Sequence, residues 1–407
     1  MHRLLFRHFN TMSSPWKEAA TLVLAAKAPN ASRQGTLIPF DYKLLMLKRS
    51  SRSGFMPSAN VFPGGVLDPA DESSEWVKLF ESAGVGVEEL KKFSDIPGPR
   101  PAAFRTRPRQ KVSGSEVALP REVAFRICAI RETYEESGIL LGRRFIRQSH
   151  GQKSEVTNSG KFYNNSGLKI ADHCDLEWSV LDQWQSKVDS NANNFLAMCK
   201  EFSIVPDVWA LREWFNWLTP TAGVKPGKGA DHKLAPRRYD ALFFLCCIDD
   251  LLDVSHCQRE MVKAEWVSPV DALLDHRAHL IYLPPPQVFT CSGLCNHPSI
   301  EHLQRFSVTR EQNGMERWLP VLVPCRDGVA ELWPGDDRYP AEPDLYGVSD
   351  SETDSVVTLK EFREGCASLN RLELNSPQDS KIVSNVASYG HLGLYQGELR
   401  TPLLNKL

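Results

Sequence analysis

Arg121 to Leu141 reads REVAFRICAIRETYEESGILL, and the turn and a half before Gly138 organises the whole chain. With about 3.6 residues per helical turn, Glu132, Glu135 and Glu136 stand at i, i+3 and i+4, so three carboxylates share one face. Ile127, Ile130 and Tyr134 recur at i, i+3 and i+7 and mark the face that packs on a core while the acids look outward. Gly138 ends the helix, because glycine takes a positive φ at little cost. A solvated acidic face is the ordinary alternative. Yet acids crowded onto one turn repel each other, and a solvated helix normally intersperses Lys among them. A hard divalent cation turns that repulsion into binding, so the face reads as an oxygen cage for Mg²⁺ or Mn²⁺.

Arg131-Glu132-x-x-Glu135-Glu136-x-Gly138-Ile139 resembles the second half of the Nudix box, G-x5-E-x7-R-E-U-x-E-E-x-G-U with U aliphatic. The first half is not contiguous, since Val117 and Val123 stand where the box wants Gly and Glu. It lies upstream in Phe62-Pro63-Gly64-Gly65-Val66-Leu67-Asp68-Pro69-Ala70-Asp71, where Gly65 to Asp71 keeps the spacing with Asp for Glu. The box is thus split by an insertion across 72–130. Such a split is similar to that of the peroxisomal coenzyme A diphosphatases of the Nudix family. Leu44 to Ser50, Arg52, Gly54 and Phe62 to Gly65 look in part like the coenzyme A signature of that group. Trp217-Leu218-Thr219-Pro220, Arg238-Tyr239-Asp240 and Leu283-Pro284-Pro285-Pro286-Gln287 extend the resemblance over most of 16–335.

The resemblance implies an α/β fold, a Nudix-type α/β/α sandwich with a mixed central sheet, enlarged by insertions at 72–130 and about 145–205. It implies a metal-dependent diphosphatase that hydrolyses coenzyme A and acyl-CoA to 3′,5′-ADP and 4′-phosphopantetheine or its acyl form. Glu132, Glu135 and Glu136 would hold the cation, and Arg131 would brace them by salt bridges. The substrate would meet Gly64, Gly65, Arg49, Arg52 and Arg238, with paired glycines letting backbone approach phosphate. Glu135 or Glu260 would serve as base. A Nudix diphosphatase of capped RNA or a nucleotide sugar remains open, because the same acids serve every member. So does a non-catalytic binding module, which Asp71 in place of Glu motivates.

Of 407 residues, 42% are hydrophobic and 24% charged, with a formal net charge of −2. That balance argues against an extended nucleic-acid surface. No apolar run is long enough to span a membrane. Ten cysteines, adjacent Cys246-Cys247 and Cys128 among them, lack the spacing of a secreted disulfide framework and read as buried thiols. Cys291, Cys295, His297 and His302 invite a zinc reading that fits no common finger spacing.

Ala19 to Ala26, Tyr42 to Lys48 and Tyr239 to Ile248 read as buried strands. Glu75 to Phe93, Leu176 to Phe202 and Glu265 to His276 read as helical, and the Trp-rich run Val208 to Leu218 as core. Arg105, Arg107, Arg109 and Lys111 sit in a Pro-, Arg- and Ser-rich stretch that reads as a solvated linker. Residues 1–15 form an N-terminal extension, 16–335 the enlarged hydrolase domain and 336–407 an acidic, Pro-rich C-terminal extension. Met1 to Lys17 carries basic residues and no acid, a composition compatible with a mitochondrial presequence. Asn405-Lys406-Leu407 resembles the small-basic-Leu signal read by the peroxisomal import receptor. The two addresses make peroxisome the expected location, with mitochondrion the alternative.

Overall fold

Side chains alternate across a strand, and the apolar strands of this chain are buried on both sides. In β1 (Lys17–Lys27), Ala20, Leu22, Leu24 and Ala26 join one buried cluster, whereas Val23 and Ala25 join another. In β2 (Tyr42–Arg49), Leu45 and Leu47 face the first cluster while Leu44 and Met46 face the second. The consequence is a sheet sandwiched between two helical layers, the α/β/α arrangement expected above.

The computed structural model describes residues 16–105, 117–145, 173–174, 176–221, 237–254, 261–345, 356–376, 379–386, 393–395 and 397–399. After β1 and β2 come β3 (Asn60–Val61), β4 (Gly64–Val66), α1 (Glu75–Ser82), α2 (Val87–Lys91), α3 (Arg121–Ser137) and β5 (Gly142–Arg144). The middle of the chain supplies α4 (Trp178–Ser190), α5 (Asn193–Phe202), β6 (Ile204–Pro206), β7 (Arg212–Leu218), β8 (Tyr239–Ile248) and β9 (Met261–Val267). Next are α6 (Pro269–Arg277), α7 (Pro285–Leu294), α8 (Ile300–Glu311) and β10 (Arg317–Trp318). The chain continues through β11 (Val321–Cys325), β12 (Gly328–Leu332), α9 (Leu359–Arg363), β13 (Asn370–Leu374) and β14 (Ser380–Ser384).

The central sheet runs β10-β7-β8-β1-β2-β3, with β4 paired to β1 and β9 to β2. It is mixed, because β1 pairs parallel with β8 and β10 with β7 while the other pairs are antiparallel. Helix α3 packs on the Leu22/Leu24 face through Val123, Phe125, Ile127 and Ile130, and α6, α7 and α8 cover the other face. Both insertions thicken the α3 side. Trp76 and Phe80 of α1 and Phe195 and Met198 of α5 belong to that same cluster.

Ion pairs anchor α3. Arg121 donates to Glu18 at 2.7 Å and to Glu72, and buried Arg126 donates to Glu213 at 3.2 Å and Glu311 at 3.4 Å. Removing one member of a buried pair typically costs about 3–5 kcal/mol, so these contacts hold the helix in register with β7 and α8.

Three expectations are corrected. Glu75 to Phe93 is not one helix: α1 closes near Gly84, whose φ of 83° ends the turn, and α2 starts afresh at Val87. Glu265 to His276 is not one helix either, because Glu265, Trp266 and Val267 finish β9. Helix α6 begins after Ser268, whose hydroxyl accepts from the Asp271 amide at 3.2 Å. Nor does the fold divide at residue 335. Strands β11 and β12 before it and β13 and β14 after it form one antiparallel sheet, whose Trp333 and Leu372 belong to the α6/α7 cluster. Among the described residues no helix is long and apolar enough to cross a membrane, and the described cysteines are free.

Candidate active site

The last turn of α3 delivers its acids to a cavity of about 1120 Å³ lined by Glu132, Glu135 and Glu136 together with Gly64 and Gly65. The acids do not face open solvent as the helical pattern suggested. Glu136 is buried, and Glu132 and Glu135 are only 14% and 12% exposed. Gly138 takes a φ of 75° and donates to the Tyr134 carbonyl at 2.9 Å, which ends the helix directly behind them.

Gly64 and Gly65 are needed for closeness. Strand β4 lies against β1 with Gly65 opposite Ala20 and Gly64 opposite Thr21. A Cβ on Gly65 would sit 2.3 Å from the Glu132 carboxyl carbon, and one on Gly64 would sit 2.4 Å from the Ala20 carbonyl oxygen. The Gly64 amide donates to Glu136 at 2.9 Å. The two glycines therefore position two of the acids through backbone proximity.

Arg131 is the brace. It is 3% exposed, and its guanidinium donates to Asp71 at 2.8 and 2.9 Å, to Glu132 at 2.9 Å and to Glu135 at 2.7 Å. Burial opposes its charge, but Glu132 and Asp71 overcome that and raise its pKa. Asp71, itself 1% exposed, is thereby occupied as the two-point anchor of Arg131. The shorter acid at this box position serves the architecture of the site. Burial and then the Glu132 charge push Glu135 up to about 8, against the lowering effect of Arg131. Negative charge on this turn thus exceeds what one guanidinium neutralises.

Other expected residues are distributed unevenly. Arg49 lines the cavity and donates to Ser53 at 3.1 Å. Arg52 is exposed and Arg238 donates to the Thr221 carbonyl at 3.4 Å, and neither lines the cavity. The neighbouring Arg237 does, along with Lys17 and Asp189. Glu260, Arg107, Arg109, Lys111 and Asn405-Lys406-Leu407 lie outside the described residues. The zinc reading fails: His297 and His302 rings approach to 5.0 Å, but no group of three His, Cys, Asp or Glu side chains among the described residues stands at metal-binding spacing.

A split acidic box on a buried helix, glycines packed against it and an Arg brace agree with a match of the chain to the Nudix-domain model of the NUDT19 group over residues 16–294. The chain belongs to the Nudix hydrolase family. The C-terminal-domain model of the same group matches residues 322–385 of this Nudix hydrolase, the region of the four-stranded sheet. A Xenopus laevis protein named acyl-coenzyme A diphosphatase NUDT19 is 37% identical over 93% of this chain and 95% of its own. The Homo sapiens protein of that name is 34% identical over 86% and 88%. The crystal structure of a NUDIX hydrolase from Alicyclobacillus acidocaldarius is 19% identical, with a TM-score of 0.44, covering 72% of this chain and 97% of that one.

Nudix hydrolases generally use divalent metal ions, and the donor set here suits a hard one. Among the described residues the three acids do not stand as a group at metal-binding spacing. Arg131 draws Glu132 and Glu135 toward its guanidinium, and the acids share no ready-made centre. Mg²⁺ is commonly held by one or two carboxylates and completed by water and substrate phosphate, and the residues present fit that open mode.

Proposed function

We propose that this Nudix hydrolase cleaves the diphosphate bond of coenzyme A and its acyl esters, yielding 3′,5′-ADP and 4′-phosphopantetheine or its acyl form. The observation that carries the reading is the convergence of the acids of α3 and the glycines of β4 on one large cavity, in a chain whose relatives bear the acyl-coenzyme A diphosphatase name over nearly their full length. Lys17, Arg49 and Arg237 on the cavity wall supply positive charge for a substrate with several phosphates.

Glu132 and Glu136 would hold the cation, which we take as Mg²⁺ or Mn²⁺. When bound, it supplies charge neutralisation at the diphosphate and makes a water more acidic. Glu136 is fixed by the Gly64 amide, and Arg131 orients Glu132 and Glu135. Glu135, whose carboxyl burial and the Glu132 charge push up to about 8, would take the proton of the attacking water. We further propose peroxisomal location, with Asn405-Lys406-Leu407 as the element read by the import receptor. A fluorescent protein carrying these three residues at its end tests that point by its distribution in cells.

The reaction is tested by incubating the protein with coenzyme A, a medium-chain acyl-CoA, ADP-ribose and capped RNA, with Mg²⁺ or Mn²⁺ and with chelator. Metal-dependent appearance of 3′,5′-ADP from both CoA compounds supports the proposal. Cleavage of ADP-ribose or capped RNA alone would sink the substrate assignment, and no cleavage of anything would favour a binding module.

A further inference from the structure

Positive charge in the cavity stands apart from the acids. Lys17 and Arg237 line it and are exposed, and neither side chain makes a hydrogen bond or ion pair among the described residues. Arg121, Arg126 and Arg131, by contrast, are each held by two or more acids. Arg237 is nonetheless placed. Its guanidinium lies against the backbone of Gly54, where a Cβ would stand 3.1 Å from Nη1 and 3.2 Å from Cζ. The next residue, Phe55, meets Tyr239 edge-on, with ring centroids 4.9 Å apart and planes at 69°. Both rings line the cavity half-buried, and neither belongs to a hydrophobic core cluster. Aromatic rings beside unpaired cations, packed on no core, suit a flat base that carries a phosphate.

The register of β1 measures how far this corner stands from the acids. Gly65, against Glu132, pairs with Ala20, while Lys17, three residues back along β1, pairs with Tyr239. Three residues of strand span about 10 Å. A lysine ammonium on its flexible stem covers about 6 Å around its Cα, so it can meet an anion well short of that span. Coenzyme A has one charged group besides its diphosphate, the 3′-phosphate. About six single bonds, roughly 7 Å, separate it from the nearer phosphorus of the diphosphate, and the adenine hangs on the same ribose. With the diphosphate at the acids, the second phosphate and the base fall within reach of Lys17, Arg237 and the two rings.

We infer that Lys17 and Arg237 form the subsite for the 3′-phosphate of the nucleotide half, with Phe55 and Tyr239 receiving its adenine. The inference rests on the proposed function. It names the group by which the site tells a 3′-phosphorylated nucleotide from ADP-ribose or a nucleotide sugar, which lack that phosphate. Gly54 acquires a role in the same arrangement, because any side chain there would press on the Arg237 guanidinium.

The test uses two nucleotides that differ only in the phosphate at issue. Binding of 3′,5′-ADP and of 5′-AMP to the full-length protein with Mg²⁺ is measured by calorimetry for the parent, Lys17→Gln, Arg237→Gln and Phe55→Leu. The parent should bind 3′,5′-ADP about tenfold more tightly than 5′-AMP. Each charge substitution should weaken 3′,5′-ADP about three- to tenfold and 5′-AMP by less than about twofold, the scale of one charge-assisted hydrogen bond. Phe55→Leu should weaken both alike, because they share the base. Equal affinity of the parent for the two nucleotides, or charge variants that leave the preference as it was, overturns the inference. Unchanged affinities in Phe55→Leu overturn the adenine assignment. Thermal unfolding identifies a misfolded charge variant, and the other one then decides. If the parent prefers 3′,5′-ADP through these residues but does not cleave coenzyme A, the reaction assignment fails and the subsite stands. A parent that cleaves coenzyme A but binds the two nucleotides alike does the reverse.

Discussion

The two ends of the cavity are built by opposite means. At the α3 end, charge is concentrated: three acids, Arg131 and Asp71 interlock over a few residues, and position is set by backbone proximity at Gly64 and Gly65. At the C-terminal end, charge is sparse, and side chains from β7, α7, β11, β12 and β13 form an apolar wall with isolated polar atoms. Electrostatic stabilisation needs many fixed charges near one bond, whereas selection of a long ligand needs area and a few directional contacts. The difference suits the reaction proposed for the α3 end.

The sharpest way to break the comparison is to neutralise the acid end. Glu132→Gln and Glu136→Gln should each lower turnover about a thousandfold, the scale of losing a major electrostatic contributor, with unfolding temperatures close to the parent. Turnover is read by chromatography of 3′,5′-ADP. A change below tenfold in both would remove the acids from the chemistry. Asp71→Ala should cost about 3 kcal/mol in urea unfolding, because it strips a buried guanidinium of its two-point partner. Gly65→Ala forces Glu132 aside and should cost about a hundredfold in turnover with little loss of secondary structure by circular dichroism.

The smallest expected effect belongs to the other end. Burial pushes the Glu331 carboxyl up to about 7, against the Trp333 hydrogen bond. A carboxyl whose folded pKa is raised contributes stability that is full below its unfolded pKa and lost as pH rises through about 7. Between pH 5 and 8 the parent should therefore lose about 2 kcal/mol that Glu331→Gln does not lose. Urea titrations of both proteins at the two pH values check the sign. Parallel pH profiles would show that the wall is open to water.

What was legible in the sequence follows the same division. The acids of α3 could be read because three carboxylates that act together must share a turn, and strands β1, β2 and β8 because apolar runs bury both faces. The apolar wall could not be read in that way. Glu331 stands in Val-Ala-Glu-Leu with nothing local to mark it, and its burial comes from neighbouring strands and the α6/α7 layer. Of the pair Arg237-Arg238, only Arg237 lines the cavity, a choice fixed by the phase of the chain as it enters β8. Asp189 is one polar residue on α4, and its approach to the site depends on how the second insertion packs against α3. Ser268 did carry a usable signal: a Ser before Pro-Val-Asp is a helix start, and it separates β9 from α6.

The most direct test of the division is a crystal structure of this hydrolase with Mg²⁺ and a coenzyme A analogue whose bridging diphosphate oxygen is replaced by methylene. The bridging group should lie beside Glu132 and Glu136, with the rest of the ligand inside the cavity they line. A bridging group bound away from Glu132 and Glu136 would contradict it.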